Sequence, residues 1–556
     1  MIHFTRHWVN TQMNGFWEEM CGLRPVLPAR NLGQTPPTQV NNDIDLAYAR
    51  EWIPFSELKA ARLIQLQMRD IITHTGGDNW YFWNDVFHEN VGPRLGDYIA
   101  EAFADQVVLA MDQIAQWYGR AIAAAQAAQN TGRVTALRAE YKNDWKKYRS
   151  FQDRIHTNAG QDALKAMVRK QCAKETDYFD DDRRWLVCRN GVVDLEEFRK
   201  TRKVQLYPHE AWRKVTRSVS CDFNRKAQAP TWLHFLETSI PDEEIRDFLQ
   251  RLVGAAFMAE SKVKAIPNLQ GPKDCGKSIF VTTLDHVADG YGVQPSPTAL
   301  TKEQGQNWEQ EKLRGKRFVG VSEPSVGSKL DDTFCKQVTG GDVVHTRTHY
   351  QSSEPWVAQC VIFIASNHAV KLNTRDQAFL DRLCFIKFPH RFWDVREAAD
   401  GEIHIKDPDL ERKLAEEHEG ILQWVFYGMY WYLERGIDKP LSVQEAGTQV
   451  AVASSGALTW IQEKITEGFL MELDNDALQE TSMSHLILFK NLYRMYKSEM
   501  EQDGEQRNML GKFAFSEHVK SFYGDFILSG GNRVPRLVGR GAWANLNEAT
   551  GTAHGF

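Results

Sequence analysis

Near the middle of the chain, Gly271-Pro272-Lys273-Asp274-Cys275-Gly276-Lys277-Ser278 places two glycines five residues apart, followed at once by Lys and Ser. Glycine permits the sharp turns that bring successive backbone N–H groups onto one anion. A lysine at this spacing reaches the terminal phosphates of a nucleotide, and the serine hydroxyl can ligate Mg²⁺. The apolar run from Ile279 onward predicts a helix that starts here and turns its positive dipole end toward the anion. ATP and Mg²⁺ are therefore the expected ligands, with Gly271 through Ile279 as the contacting stretch. A strand should precede the loop, and Pro267 within it points to an edge position, a short strand or a bulge.

Phosphate transfer also needs an acid to position Mg²⁺ or the attacking water. Some 45 residues on, "RFVGVSEP" ends an apolar strand in Glu323. "VIFIASN" ends a second in Asn367, whose amide can hydrogen-bond the water or the γ-phosphate. "AFLDRLCFIKFP" then offers Arg382, whose ordinary role would be a surface salt bridge.

These side chains need a scaffold, and the pattern around them supplies one. Short apolar runs bounded by turns alternate with helical segments up to about Phe392, the signature of buried parallel strands with helices on both faces. Upstream, "GGDNWYFWNDVFHEN" suggests a small hairpin, and the pattern is helical from about Leu95 to His156 with a break at "NTGR". "WLVCRNGVVDL" reads as two short strands joined at Asn190-Gly191. The chain has 556 residues, 42% apolar and 25% charged, ordinary values for a soluble globular protein of several domains. The net charge of −6 excludes a basic nucleic-acid coat, so any nucleic-acid contact must come from local basic patches. Eight cysteines without a CxxC pair argue against a zinc ribbon and for buried thiols. No long apolar run and no signal-like N-terminus are visible, so a cytoplasmic protein with no membrane span is expected.

The order Lys277, Glu323, Asn367, Arg382 resembles superfamily 3 helicases, specifically the primase-helicase family of phages, plasmids and poxviruses. Between acid and amide, "KQVTGGDVVHTRTHY" (Lys336 to Tyr350) is similar to that family's additional motif, where a Lys and a TGGD turn lead into a pore hairpin. Motif similarity runs firmly from Asp177 to Phe392 and weakens on both sides. The resemblance implies that Lys277 holds the β- and γ-phosphates, Ser278 and Glu323 serve Mg²⁺ and water, and Asn367 senses the γ-phosphate. It implies that Arg382 is an arginine finger offered to a neighbouring subunit, hence a homo-oligomer, a hexamer by family habit. Arg347, His349 and Tyr350 become the expected DNA contacts of the hairpin, with Lys336 at its base. The match is imperfect: Ser322 stands where many members carry a second acid, and Asp381 where relatives have a second arginine, leaving Arg375 in reserve. His345 and His349 are spaced as HxxxH, but no third ligand at sensible spacing makes a metal site of them.

The implied fold class is α/β: an AAA+-like P-loop ATPase core with a mainly helical N-terminal domain and a C-terminal winged-helix domain. The expected division is an irregular lead-in at 1–65, a helical and β collar domain at 66–225, the ATPase at 226–395, a helical connector at 396–470 and a winged-helix-like domain at 471–556. In the last, the helix Phe513 to Tyr523 would read DNA, and Arg533, Arg536 and Arg540 would lie on a wing. Upstream of Asp177, Asp43 and Asp45 are the nearest thing to a paired-acid site, and nothing around them looks like a polymerase core. The expected function is thus an ATP-dependent, ring-forming DNA helicase for a phage or similar mobile element, working on single-stranded and forked DNA beside a separate primase or polymerase. The alternatives are an origin-binding initiator or loader ATPase, and a bifunctional primase-helicase.

Overall fold

The computed structural model describes residues 56–301, 307–322, 330–346, 355–366, 377–398, 404–453, 456–467, 469–472, 487–502, 509–523, 527–529, 532–535 and 537–539. Its contacts divide the chain into two units. The first takes the described residues up to Val187, with Gly191–Asp194 and Leu206–Ser218, and the second takes the remainder.

The first unit begins with α1 (Glu57–Gln67), capped by the Ser56 hydroxyl, and a three-stranded antiparallel sheet of β1 (Ile72–His74), β2 (Trp80–Trp83) and β3 (His88–Asn90). The expected hairpin is the β2–β3 pair. Three helices follow: α2 (Arg94–Ala127), α3 (Thr131–Ile155) and α4 (Asn158–Gln171). The break between α2 and α3 falls at the "NTGR" segment, where the Asn130 side chain accepts from Arg133 N–H and caps α3. Trp80, Phe82, Phe103, Tyr148 and Leu164 are all at most 1% exposed and share one core. Burial of a large side chain of this kind contributes about 1.5–3 kcal/mol. A second small sheet joins β4 (Trp185–Cys188), β5 (Gly191–Asp194) and β6 (Leu206–Tyr207).

The second unit carries α5 (Leu195–Thr201), α6 (Pro230–Ser239) and α7 (Glu243–Phe257). Pro230 opens α6, where a missing N–H is harmless. Asp242 caps α7 through the N–H groups of Glu244 and Ile245, and Ile245, Phe248, Leu249 and Leu252 form its buried face.

A five-stranded parallel sheet then forms from β7 (Ile266–Gln270), β8 (Gly292–Val293), β9 (Phe318–Val321), β12 (Val361–Ser366) and β13 (Leu383–Lys387), in the order β13-β7-β12-β9-β8. Between these strands run α8 (Lys277–Ala288), α9 (Asn307–Glu311), α10 (Asp332–Gly340), the antiparallel pair β10 (Val343–His345) and β11 (Pro355–Val357), and α11 (Gln377–Leu380). Phe334 and Val338 of α10 and Phe379 of α11 share a core with Val319, Val321, Ile362, Ile364 and Phe385 of the sheet. On the other face, Phe280 of α8 meets Phe363, which stacks on Phe318. Both faces are covered, which is why the strands read as continuous apolar runs rather than alternating ones.

One expectation is corrected. Strand β7 lies inside the sheet, flanked by β13 and β12, so Pro267 is not at an edge. The Ile266 N–H donates to the Arg382 carbonyl of the β13 side, so the next nitrogen, that of Pro267, faces the β12 side. Pairing with β12 begins only at Asn268. The missing donor therefore falls just outside that ladder.

After the sheet come α12 (Leu410–Glu416), α13 (His418–Arg435), α14 (Leu441–Ala453) and α15 (Gly456–Thr466). The final elements are β14 (Leu470–Glu472), α16 (Phe489–Gln502), α17 (Lys512–Tyr523), β15 (Ile527–Ser529), β16 (Asn532–Val534) and β17 (Leu537–Gly539). Trp460, Leu492, Tyr496, Phe515 and Val519 form a separate core at this end. Strands β15 and β16 make a hairpin directly after α17, and β14 pairs with β17. All seven described cysteines are buried thiols, as expected from their scattered spacing. No described helix is long and apolar enough to cross a membrane.

Candidate functional site

The loop Gly271–Gly276 joins the C-terminal end of β7 to the N-terminus of α8, and the chain packs so tightly here that few residue types fit. A Cβ on Gly271 would lie 2.2 Å from the Phe388 carbonyl oxygen and 2.9 Å from Cys275 Sγ. Gly276 has φ +98°, and a Cβ there would meet Phe235 and Ser239 at 2.9 Å. Asp274 also takes a left-handed backbone, φ +62°, without the freedom of glycine. The segment after β13 clasps the loop: Phe388 N–H donates to the Gln270 carbonyl and Phe392 N–H to the Asp274 carbonyl. The Asp274 carboxylate lies 3.2 Å from Lys406 Nζ, which also meets Asp394 at 3.0 Å. Hydrogen bonds to Asp394 and then Asp274 raise the Lys406 pKa.

Gly276 provides no side-chain cap for α8, so the first N–H groups of this helix have no capping partner from that residue, and its positive dipole end faces the loop. Lys277, 6% exposed, sends its ammonium back into the loop. Nζ donates to the Gly271 carbonyl at 2.8 Å and the Pro272 carbonyl at 2.9 Å, and stands 3.1 Å from Cys275 Sγ. Ser278 is exposed on the first turn, Ile279 is half-buried, and Pro272 and Lys273 are exposed on the rim. Three buried polar atoms lie on or beside the loop without a hydrogen-bond partner: Ser239 Oγ, Asn268 Nδ2 and Gln270 Nε2. The Asn268 side chain accepts from Ser366 Oγ at 3.1 Å, tying β7 to β12. Converging N–H groups, a buried ammonium, an exposed hydroxyl and orphaned donors suit a polyphosphate, and the serine oxygen suits the hard cation that accompanies it.

Strand β12 separates β7 from β9, and all three end at the same edge: Val321 is level with Ile364, and Gln270 with Ser366. Glu323 and Asn367, each placed by the sequence just beyond one of these strand ends, lie outside the described residues. Arg382 immediately precedes β13, at the opposite edge from the loop, because Lys387 is the residue level with Gln270. Five residues of strand separate the two levels, about 16 Å. Its Nε donates to Thr339 Oγ1 at 2.9 Å, and its Nη1 donates to the Ala378 carbonyl. Thr339 in turn donates to the Cys335 carbonyl of α10.

Lys336 is half-buried on α10, whose end is capped by Gly341 at φ +75°. The TGGD turn leads directly into β10, which pairs with β11 through Val344 and Trp356. The expected hairpin is present, and its tip, with Arg347, His349 and Tyr350, lies outside the described residues. Arg533 sits on β16 opposite Leu528. Arg536, Arg540 and the reserve Arg375 lie outside the described residues. The sequence reading did not single out Asn268, Ser366, Ser239 or Lys406. The one signal for the first two was a polar residue set inside an otherwise apolar strand, "IPNLQ" and "VIFIAS".

Comparison with known proteins gives three findings. A family profile described as "D5 N terminal like" matches residues 60–241. "Putative helicase V13" of Sputnik virophage is 23% identical over 258 residues, covering 44% of this chain and 32% of that protein. "Putative helicase L207/L206" of Acanthamoeba polyphaga mimivirus is 23% identical over 276 residues, covering 48% and 28%. The chain thus spans about a third of the length of these relatives. Among solved structures, the apo C-terminal region of NrS-1 aligns over 57% of this chain and 78% of that one, with 13% identity and a TM-score of 0.35. The matched segment and the helicase-named viral relatives support a D5-like relationship.

Proposed function

We propose that this chain is an ATP-driven DNA helicase of the superfamily 3 type, assembling as a ring and acting in replication of a phage or similar mobile element. The observation that carries this reading is Lys277, buried at the start of α8 and folded into a glycine loop at the end of an interior parallel strand. Helicase-named relatives and the D5-like segment agree with it.

In this reading, Lys277 exchanges its two carbonyl partners for β- and γ-phosphate oxygens, and the α8 N–H groups hold the rest of the triphosphate. Ser278 and Glu323 would hold Mg²⁺, which would supply positive charge to offset that of the phosphates. Glu323 accepts a proton from water as its oxygen bonds to the γ-phosphorus and the bond to the β-γ bridging oxygen breaks, releasing ADP and phosphate. Asn367 orients that water or the γ-phosphate. Arg382 stands at the far edge of its own sheet, so the phosphate it serves is a neighbour's, which makes an oligomer, by resemblance a hexamer, part of the site. Hydrolysis would then move the β10–β11 hairpins, with Lys336, Arg347, His349 and Tyr350, along single-stranded DNA.

A second reading, an origin-binding initiator or loader, draws on the C-terminal end. There α17 leads into the β15–β16 hairpin bearing Arg533, and Phe513 on α17 is 81% exposed. In this reading the segment serves as a winged helix, with Arg533, Arg536 and Arg540 as the wing's phosphate contacts. The two readings separate in one assay. A helicase hydrolyses ATP many-fold faster with single strands of any sequence and unwinds forks, whereas a loader prefers one duplex site and hydrolyses slowly. A labelled-nucleotide primer-synthesis assay addresses the bifunctional primase-helicase, and no product is expected.

A further inference from the structure

On the first unit, which holds none of the residues assigned above, rings and cations alternate along the surface. Trp212, on the short turn Ala211–Arg213, is 59% exposed. The Arg213 guanidinium lies 4.7 Å from the Trp212 centroid and 4.9 Å from that of Trp185, and the two indoles pack edge to face with centroids 5.9 Å apart. Arg213 is 8% exposed and is itself fixed by the Pro208 carbonyl at 2.7 Å and Glu210 at 2.9 Å. The turn is held from below by His88, whose Nε2 donates to the Ala211 carbonyl and whose N–H donates to the Val215 carbonyl. The exposed indole is thus supported by Arg213 and Trp185.

The neighbouring residue, Lys214, has φ +52°, and its carbonyl accepts from the N–H of Asp180, at φ +57°. A left-handed backbone costs a residue with a Cβ about 1–2 kcal/mol, and such positions collect at functional sites. The conformation places Lys214 Nζ 4.1 Å from the Tyr178 ring centroid, and Lys174 Nζ stands 5.5 Å from the same ring. Lys174 also lines an open hollow of about 360 Å³ with Arg169 and Lys170. Among the neighbouring carboxylates, Asp180 is engaged by Arg217, Asp194 by Arg184 and Glu210 by Arg213, while Asp70 lies close enough to act electrostatically on Tyr178. Glu175 also lines the hollow, and Asp78 is 4.0 Å from Arg169.

Edge-to-face packing on Trp185 engages one side of Trp212, yet 59% of the residue still faces water. We propose that Trp212, Lys214, Tyr178 and Lys174 form a sequence-tolerant binding site for single-stranded nucleic acid. Trp212 stacks on a base, the lysines meet backbone phosphates, and the strand continues over Arg169 and Lys170. Any base offers a face to an aromatic platform, and cations spaced along it follow the backbone. The proposal does not depend on the motor reading, because binding here needs neither ATP nor Lys277.

The full chain, without nucleotide, is titrated into fluorescent oligothymidylate and oligouridylate of twenty residues, followed by anisotropy, and cross-linked to iodouracil-substituted versions of each. Cross-links are expected on peptides containing Trp212 or Tyr178. Trp212→Ala should weaken binding about tenfold, within the range for loss of one stacked base. Lys174→Glu with Lys214→Glu should lower the slope of log affinity against log salt by roughly 0.7 per phosphate contact. The DNA and RNA arms tell which strand is preferred. Trp212, Lys174 and Lys214 are all exposed, so these variants should fold. Cross-links recovered solely from other peptides would overturn the site, as would duplex competing as well as single strands. A chain that cross-links at Trp212 yet hydrolyses no ATP would keep this site and sink the motor reading instead.

Discussion

Arg382 Nε donates to Thr339 Oγ1 across 2.9 Å, tying the start of β13 to the last turn of α10. The same α10 leads through the TGGD turn into the β10–β11 hairpin, so the proposed finger and the proposed DNA-contacting hairpin hang on one bond. Arg382→Ala should still bind ATP but hydrolyse it about 10³- to 10⁵-fold more slowly. Thr339→Val removes the tie and keeps the guanidinium. If Arg382 acts only as a brace, the two variants will show the same turnover. If it acts as a finger, Thr339→Val will retain most activity. Mixing Arg382→Ala with Lys277→Ala at several ratios should restore some hydrolysis at composite sites, and a strictly monomeric enzyme turning over at full speed excludes sharing.

Lys277→Ala should abolish nucleotide binding, read by calorimetry, since no other described cation enters the loop from α8. Gly276→Ala is the complementary test of the backbone. A Cβ at φ +98° meets Phe235 and Ser239 at 2.9 Å, so the loop must shift, at a cost of about 1–2 kcal/mol from the backbone alone. Nucleotide affinity should fall with it. An unchanged affinity and melting temperature would mean the loop does not need this conformation.

Glu323→Gln should bind ATP normally, release phosphate very slowly and remain on single-stranded DNA when ATP is added. Anisotropy of a labelled strand during an ATP chase checks this. Prompt release would place the catalytic base elsewhere.

The first unit should lose stability in mild acid. Burial holds the His88 imidazole below its ordinary pKa, partly opposed by its bond to the Ala211 carbonyl, and burial likewise lowers His74. The unfolded chain takes up protons near pH 6.5 where the folded chain resists them, so stability is present above about pH 6.5 and declines below it. Thermal unfolding at about pH 7.5 and 5.5 should show a lower midpoint in acid. His88→Gln, which can still donate to Ala211, should reduce that difference, and an identical difference would exclude His88 as a contributor.

Much of the fold was local and therefore legible. Glycines at 271 and 276 are required by a single tight loop, Asn130 caps the helix that starts beside it, and the hairpin at Trp80–Asn90 follows from aromatic strands broken by turn residues. Each depends on neighbours a few residues away. Parallel strands were readable for the same reason, since burial on both faces leaves an apolar run. What the tertiary structure decided is which distant pieces meet. Strand β12 enters the sheet between β7 and β9, so Ser366 reaches Asn268, and Pro267 is tolerated because its ladder begins one residue later. Lys406 finds Asp274, and Arg382 is drawn to Thr339 at the edge away from the phosphate loop. No periodicity encodes these pairings, because they arise from long-range packing in which residues 40 to 130 positions apart become neighbours only after the sheet has closed.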